Sequence, residues 1–243
     1  MRGRVRHRTT TAGLWGAVLA ASALLSSSAV AQAPAAETEI DRAVRIAAHA
    51  TGEPQVPGLT IVYLHPLGSP EQANAWRHII VHQTEGPSGS ARNGARAQAK
   101  SPTRRGVTIW VETDGTVYWA TAEDAIPTHG DGANRNDNKY IDNRSTYRAV
   151  LKHNSIGVEF AGNFPDVAAP PTAAQKAAWL ILARFLQERY AIPSERIYAH
   201  NWIDYKDARY CEGCDLAELA RGLDFKPSPD RRAPQFSRGP PPK

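Results

Sequence analysis

The clearest rhythm in the chain is "GVTIWVETDGTVYWA", residues 106–120. Two runs rich in β-branched and aromatic side chains flank Asp114 and Gly115. Both of those residues tolerate positive φ, so the stretch predicts a hairpin closed by a tight type I′ turn. "NSIGVEFAGN", residues 154–163, predicts another strand. Its period of two puts Ser155, Gly157 and Glu159 on one face and Ile156, Val158 and Phe160 on the other. "GEPQVPGLTIVYL" and "NAWRHIIVHQTEG" read as earlier strand-bearing segments, and "RIYAH" as a last short strand.

Helical periods occupy the gaps. "TAAQKAAWLILARFLQERY" has Thr172 and Gln175 at capping-box spacing, and Trp179, Leu182, Leu186 and Tyr190 share one stripe. "CDLAELARGL" reads as a last helix with Asp215 near its start. "AAETEIDRAVRIAAHA" reads as a short amphipathic helix or tether. The stretch from Gly86 to Lys100 reads as loop plus a short helix, and Thr128–Arg148 as polar loop. Strands with helices between the later ones predict an α/β (α+β) fold, a mixed central β-sheet flanked by helices.

The two ends of the chain have a different character. The N-terminus has a basic start, an apolar run from Ala12 to Leu25, and small residues at Ala29 and Ala31. That is the pattern of a secretory signal cut after Ala31. The expected division is a signal at 1–31, an N-terminal extension at 32–70, a catalytic domain at 71–225 and a disordered Pro-rich tail at 226–243. A chain of 243 residues holds one such domain with a substantial core. Export places the mature protein in the periplasm or outside the cell, with no stable membrane insertion and with chemistry that permits a Cys–Cys bridge. Formal net charge is +5, and Arg2, Arg4, Arg6 and Arg8 of the signal account for four of it. The remaining charge is modest and forms no basic face interleaved with aromatics, so no nucleic-acid partner is expected.

The chemistry concentrates at strand ends. His82 closes "HIIVH" and His200 closes "RIYAH"; Cys211 follows in Cys211-Glu212-Gly213-Cys214. A disulfide, a redox pair and a metal site are all open to that C-x-x-C. Two imidazoles from separate strands and one thiolate would make a three-ligand set with an open fourth position, as a catalytic zinc needs. No second C-x-x-C is present, so the spacing is not that of a zinc finger.

The blocks "HIIVHQTEG", "VETDGTVYWATAEDAIPTHGDGAN", "KHNSIGVEFAGNF", "YAH" and "CEGCDL" occur in one order over residues 77–223. Together they resemble the zinc-dependent N-acetylmuramoyl-L-alanine amidases, the type-2 family that includes the peptidoglycan recognition proteins. The resemblance implies a single zinc in a surface groove, held by His82, His200 and Cys211. It departs from the family pattern at Glu212, where proline is usual, and in the length between His200 and Cys211, leaving Cys214 or Asp207 as lesser ligand candidates.

Further roles are implied by position in the blocks. Glu159 would be the general base, Arg209 or Lys206 would hold the oxyanion, and His129 and Asn154 would contact substrate. The implied reaction is hydrolysis of the amide between N-acetylmuramic acid and L-alanine, with peptidoglycan or muropeptides as partner and a monomer as the working state. Two other classes compete: a wall-binding module of the same fold that does not cut, and a thiol–disulfide protein using the C-x-x-C.

Overall fold

The computed structural model describes residues 53–67, 73–130, 144–204 and 210–228. The signal segment, the "AAETEIDRAVRIAAHA" segment and the tail from 229 onward lie outside the described residues. Six strands form one mixed sheet: β1 (Ile61–Tyr63), β2 (His78–Gln83), β3 (Ile109–Val111), β4 (Val117–Trp119), β5 (Ser155–Phe160) and β6 (Ile197–Ala199). Their order across the sheet is β1-β4-β3-β5-β2-β6. Strands β3, β5, β2 and β6 run parallel to one another, while β4 is antiparallel to β3 and parallel to β1. Strand β1 comes from ahead of residue 71, so the stretch expected to be an extension supplies one strand of the sheet.

The face assigned to Ile156, Val158 and Phe160 is the inner one. With Ile79, Val81, Ile109, Val117 and Trp119 these residues form the main core, buried under two helices, α2 (Ala173–Tyr190) and α3 (Cys214–Arg221). The predicted stripe of α2 faces that core. Trp179, Leu182 and Leu186 are fully buried, and the Trp179 indole N–H donates to the Leu216 carbonyl at 2.7 Å. The capping box is present: the Gln175 amide donates to Thr172 Oγ1, and the Thr172 amide to Gln175 Oε1, each at 3.0 Å.

The opposite face carries His78, Ile80 and His82 of β2 beside Ser155, Gly157 and Glu159 of β5. Helix α1 (Ser90–Lys100) covers one side of it, pressed so closely that a Cβ on Gly94 would lie 2.3 Å from the Trp110 ring. The α1 N-terminus has no side-chain cap of its own; Glu112 of the hairpin accepts the amides of Gly89 and Arg92 instead. The hairpin forms where expected but with another turn. Only Gly115 of the central pair has positive φ (85°), and the Gly115 amide donates to the Glu112 carbonyl. A type I′ turn needs positive φ at both central residues, so this is the three-residue loop with a left-handed glycine. No helix of the described residues is long and apolar enough to cross a membrane.

Burial, then the charges of Arg196 and Arg77, push the His78 imidazole down to about 4. The unfolded chain takes up that proton near pH 6.5 while the fold refuses it, so stability falls as pH drops from about 6.5 towards 4. His78→Gln removes this contribution. Thermal melts across that window should fall less steeply for the variant than for the wild type; parallel slopes would refute the assignment.

Candidate metal centre

The carboxyl ends of β2, β5 and β6 lie together at one edge of the sheet, where open α/β sheets place their ligands. A groove of about 560 Å³ opens there. Strand β2 brings His82 to its floor, and His200 follows the last residue of β6. The register aligns His82 with Glu159 on the neighbouring strand, so their side chains stand side by side on the groove face. The third arm comes from the turn before α3. Gly213, at φ 81°, lets that turn lie against β2: a Cβ there would sit 2.4 Å from the Val81 carbonyl oxygen. The Gly213 amide donates to Gln83 Oε1 at 2.8 Å and pins the turn in place.

The residue this turn delivers is Glu212. His82 Nδ1 lies 3.0 Å from His200 Nδ1; Glu212 Oε1 lies 3.1 Å from the His200 nitrogen and 3.5 Å from the His82 nitrogen. All three residues are buried, Glu212 to 1% exposure. Burial by itself would raise the Glu212 carboxyl, but hydrogen bonds and positive charge from His200 and His82 outweigh it and hold it well below the usual carboxylate range. The carboxylate is therefore an anion.

Two imidazole nitrogens and an anionic oxygen are a donor set suited to zinc. A tetrahedral zinc with bonds of about 2.0–2.1 Å spaces its ligand atoms about 3.3 Å apart, and the three separations bracket that value. Among the described residues this is the one cluster of His, Cys, Asp and Glu side chains able to hold a metal ion.

Cys211, expected as the third ligand, is not in this cluster. Its sulfur is bonded to Cys214 in a disulfide that closes the short loop around Glu212. A sulfur in a disulfide is no thiolate, and thiolate is the form that binds metal. Cys214 is excluded for the same reason. Glu212 stands where the family pattern has proline, and a carboxylate between His200 and the last helix is the signal in the sequence that points to it.

His129 was expected to meet substrate. It lies on the groove wall but is 7% exposed, with Nδ1 3.3 Å from His82 Nε2 and Nε2 3.2 Å from the Ser155 carbonyl oxygen. Burial, and then the charge of His82, push its pKa well below the ordinary histidine value. Asn154 is not part of the groove lining. Its Oδ1 accepts the Leu151 amide and its Nδ2 donates to the Ala149 carbonyl, which folds the turn into β5. Glu159 is half-buried in the groove. Lys206, Asp207 and Arg209 lie outside the described residues. The groove's other charged lining residues are Glu85, Arg105 and Asp204, and Asp204 Oδ2 is 3.9 Å from His200 Nε2.

The family model for N-acetylmuramoyl-L-alanine amidase matches residues 72–214, more than half of the chain. The chain belongs to this family. The match spans β2 through the turn that carries Glu212. No curated protein matches the chain at a significant level.

Among solved structures, it is similar to the endolysin amidase LysCS from Clostridium intestinale URNW. The identity is 17% over 71% of this chain and 99% of that one, with a TM-score of 0.45. It is also similar to an AmpD derivative (16% identity, 68% of this chain and 96% of that one, TM-score 0.45). The endolysin of Thermus scotoductus bacteriophage Ph2119 gives 19% identity over 60% of this chain and 84% of that one, with a TM-score of 0.40.

Substitution separates the two possible third donors. Loss of an indirect partner of a metal ligand weakens a site by about 10–100-fold, and loss of a direct donor should exceed that range. Glu212→Gln should therefore weaken zinc binding by more than about 100-fold in chelator competition. Joint replacement of Cys211 and Cys214 by serine should leave binding within about tenfold of wild type. The reverse ranking would return the thiolate to the ligand set.

Proposed function

We propose that this amidase is a zinc enzyme, exported from the cytoplasm, that hydrolyses the amide between the lactyl group of N-acetylmuramic acid and L-alanine of the peptidoglycan stem. The observation that supports this most directly is the mutual approach of His82 Nδ1, His200 Nδ1 and Glu212 Oε1 at 3.0–3.5 Å in an open groove. These three side chains would hold the metal. Zinc so held supplies Lewis acidity, which polarises the scissile carbonyl and makes a water more acidic.

The rest of the chemistry falls to the chain. Glu159 stands beside His82 in strand register and opens onto the groove. Its carboxylate takes a proton from the attacking water and returns it to the amide nitrogen as the C–N bond breaks. The amine then leaves neutral, and the lactyl group is left as a carboxylic acid that gives its remaining proton to solvent. The hydroxide equivalent ends on the carbonyl carbon, so one water is consumed per bond cut. The sheet supports this role physically. Strand β5 is held on both sides by β2 and β3, so the Glu159 backbone cannot drift from that of His82.

A clamp on the substrate's developing negative charge is assigned to Arg209 or Lys206, which the sequence places just ahead of Cys211. Arginine in that role acts by charge alone. Zinc as the cofactor, muropeptides as the substrate class and a monomeric, periplasmic or secreted protein complete the reading. No polymer partner other than the wall is invoked.

The test is cleavage of defined muropeptides by the zinc-loaded protein, followed by release of the free amino terminus of the stem peptide. Glu159→Gln should lower kcat by about 10²–10⁴-fold with zinc content unchanged. Zinc-loaded wild type that binds muropeptides without releasing any amine would instead make this a wall-binding module.

A further inference from the structure

His129 is built into the wall behind the metal centre. Its Nε2 lies 3.2 Å from the Ser155 carbonyl oxygen, and a carbonyl oxygen only accepts. That nitrogen therefore bears the ring's proton. In a neutral imidazole the other nitrogen, Nδ1, is then an acceptor, and it faces His82 Nε2 at 3.3 Å. His82 Nε2 must then donate, which makes Nδ1 the nitrogen of His82 that meets a cation. Nδ1 is the atom 3.0 Å from His200 Nδ1 and 3.5 Å from Glu212 Oε1. The backbone of β5 thus dictates, through two rings, which nitrogen of His82 is turned towards a cation.

The surroundings are shaped for this relay. A Cβ on Gly157 would lie 2.9 Å from His129 Nδ1 and 2.7 Å from Val107, so only glycine leaves the ring its place against β5. Gly130, at φ 34°, lets the chain turn directly after His129, with the space for its missing Cβ taken by Ile80 Cδ1 at 2.8 Å. The His82 and His129 rings meet edge-on, centroids 5.4 Å apart and planes at 77°, a geometry that aims the N–H of one into the nitrogen of the other.

We infer that His129 is a positioning residue, which locks His82 in the tautomer bearing hydrogen on Nε2 and so presents Nδ1 to the metal. This rests on the metal-centre reading above and adds to it a partner that touches His82 and would act on the metal only through that ring. An outer partner of this kind is worth about 10–100-fold in metal affinity.

The first arm of the test needs no metal. Nitrogen-15 spectra of the histidine rings in the zinc-free protein should show hydrogen on His82 Nε2, the atom facing His129, whether or not Nδ1 also carries one beside Glu212. A His82 Nε2 without hydrogen overturns the inference, whether or not His129 variants fold. The second arm is chelator competition for zinc. His129→Phe keeps the ring's volume but neither hydrogen bond, and should bind zinc at least about tenfold more weakly. His129→Gln offers an amide donor and acceptor at similar spacing, and should recover most of that loss.

A folded His129→Phe with wild-type zinc affinity also overturns the inference, as does a Gln variant no better than Phe. Thermal melts of the zinc-free variants identify a general loss of fold. Wild type that takes up no zinc sinks the metal centre itself, while the tautomer measurement still decides on His129.

Discussion

A carboxylate sealed from water against two imidazoles sets the terms for everything around it. Glu212 is an anion at 1% exposure, and an anion removed from water to that degree is tolerated only where its partners compensate. His82 and His200 do so, and that need constrains the rest of the arrangement. The two strands that bring the rings must keep their register. The turn before α3 must lie flat on β2, and the residue after Glu212 must lack a side chain. A slip of one residue in β2 would turn His82 into the helix-covered core and Val81 into the groove.

The division of labour between the two sheet faces follows from this. One face is apolar and covered by α2 and α3, and it supplies rigidity. The other is only partly covered, by α1 on one side and by Val150 and Ile203 on the other, where they pack against Ile80. The groove is the gap between those two covers. The disulfide between Cys211 and Cys214 belongs to the rigid part. It ties both ends of the loop that carries Glu212 and leads straight into the first turn of α3.

Much of this was legible in the chain. Period-two patterning assigned both faces of β5 correctly. The capping box located the start of α2, and two strand-terminal histidines marked the site because strand ends are where a parallel sheet presents side chains. What was not legible depended on long-range geometry. A C-x-x-C reads equally well as a disulfide or as a source of thiolate, and only the approach of the turn to β2 shows that the glutamate between the cysteines points inward.

His129 illustrates the same limit. Its motif marks it as belonging to the groove, but whether it looks outward to substrate or inward to another ring depends on the clearance above Gly157, on a different strand. Asn154 looked polar and near the site, yet its amide is spent on the backbone of its own turn.

The donor atoms of the centre come from positions 82, 200 and 212, on a strand, just past a second strand and on a turn held by a bridge. No short peptide from this chain contains the set, and the loose coil of an unfolded chain scatters it. An ion held by all three at once would therefore be an assembly gauge, reading whether β2, β6 and the last helix have docked. Its binding free energy would add to the native state alone, growing with the logarithm of free ion concentration. Wherever such an ion was scarce, the final docking of the C-terminal segment would lose that support.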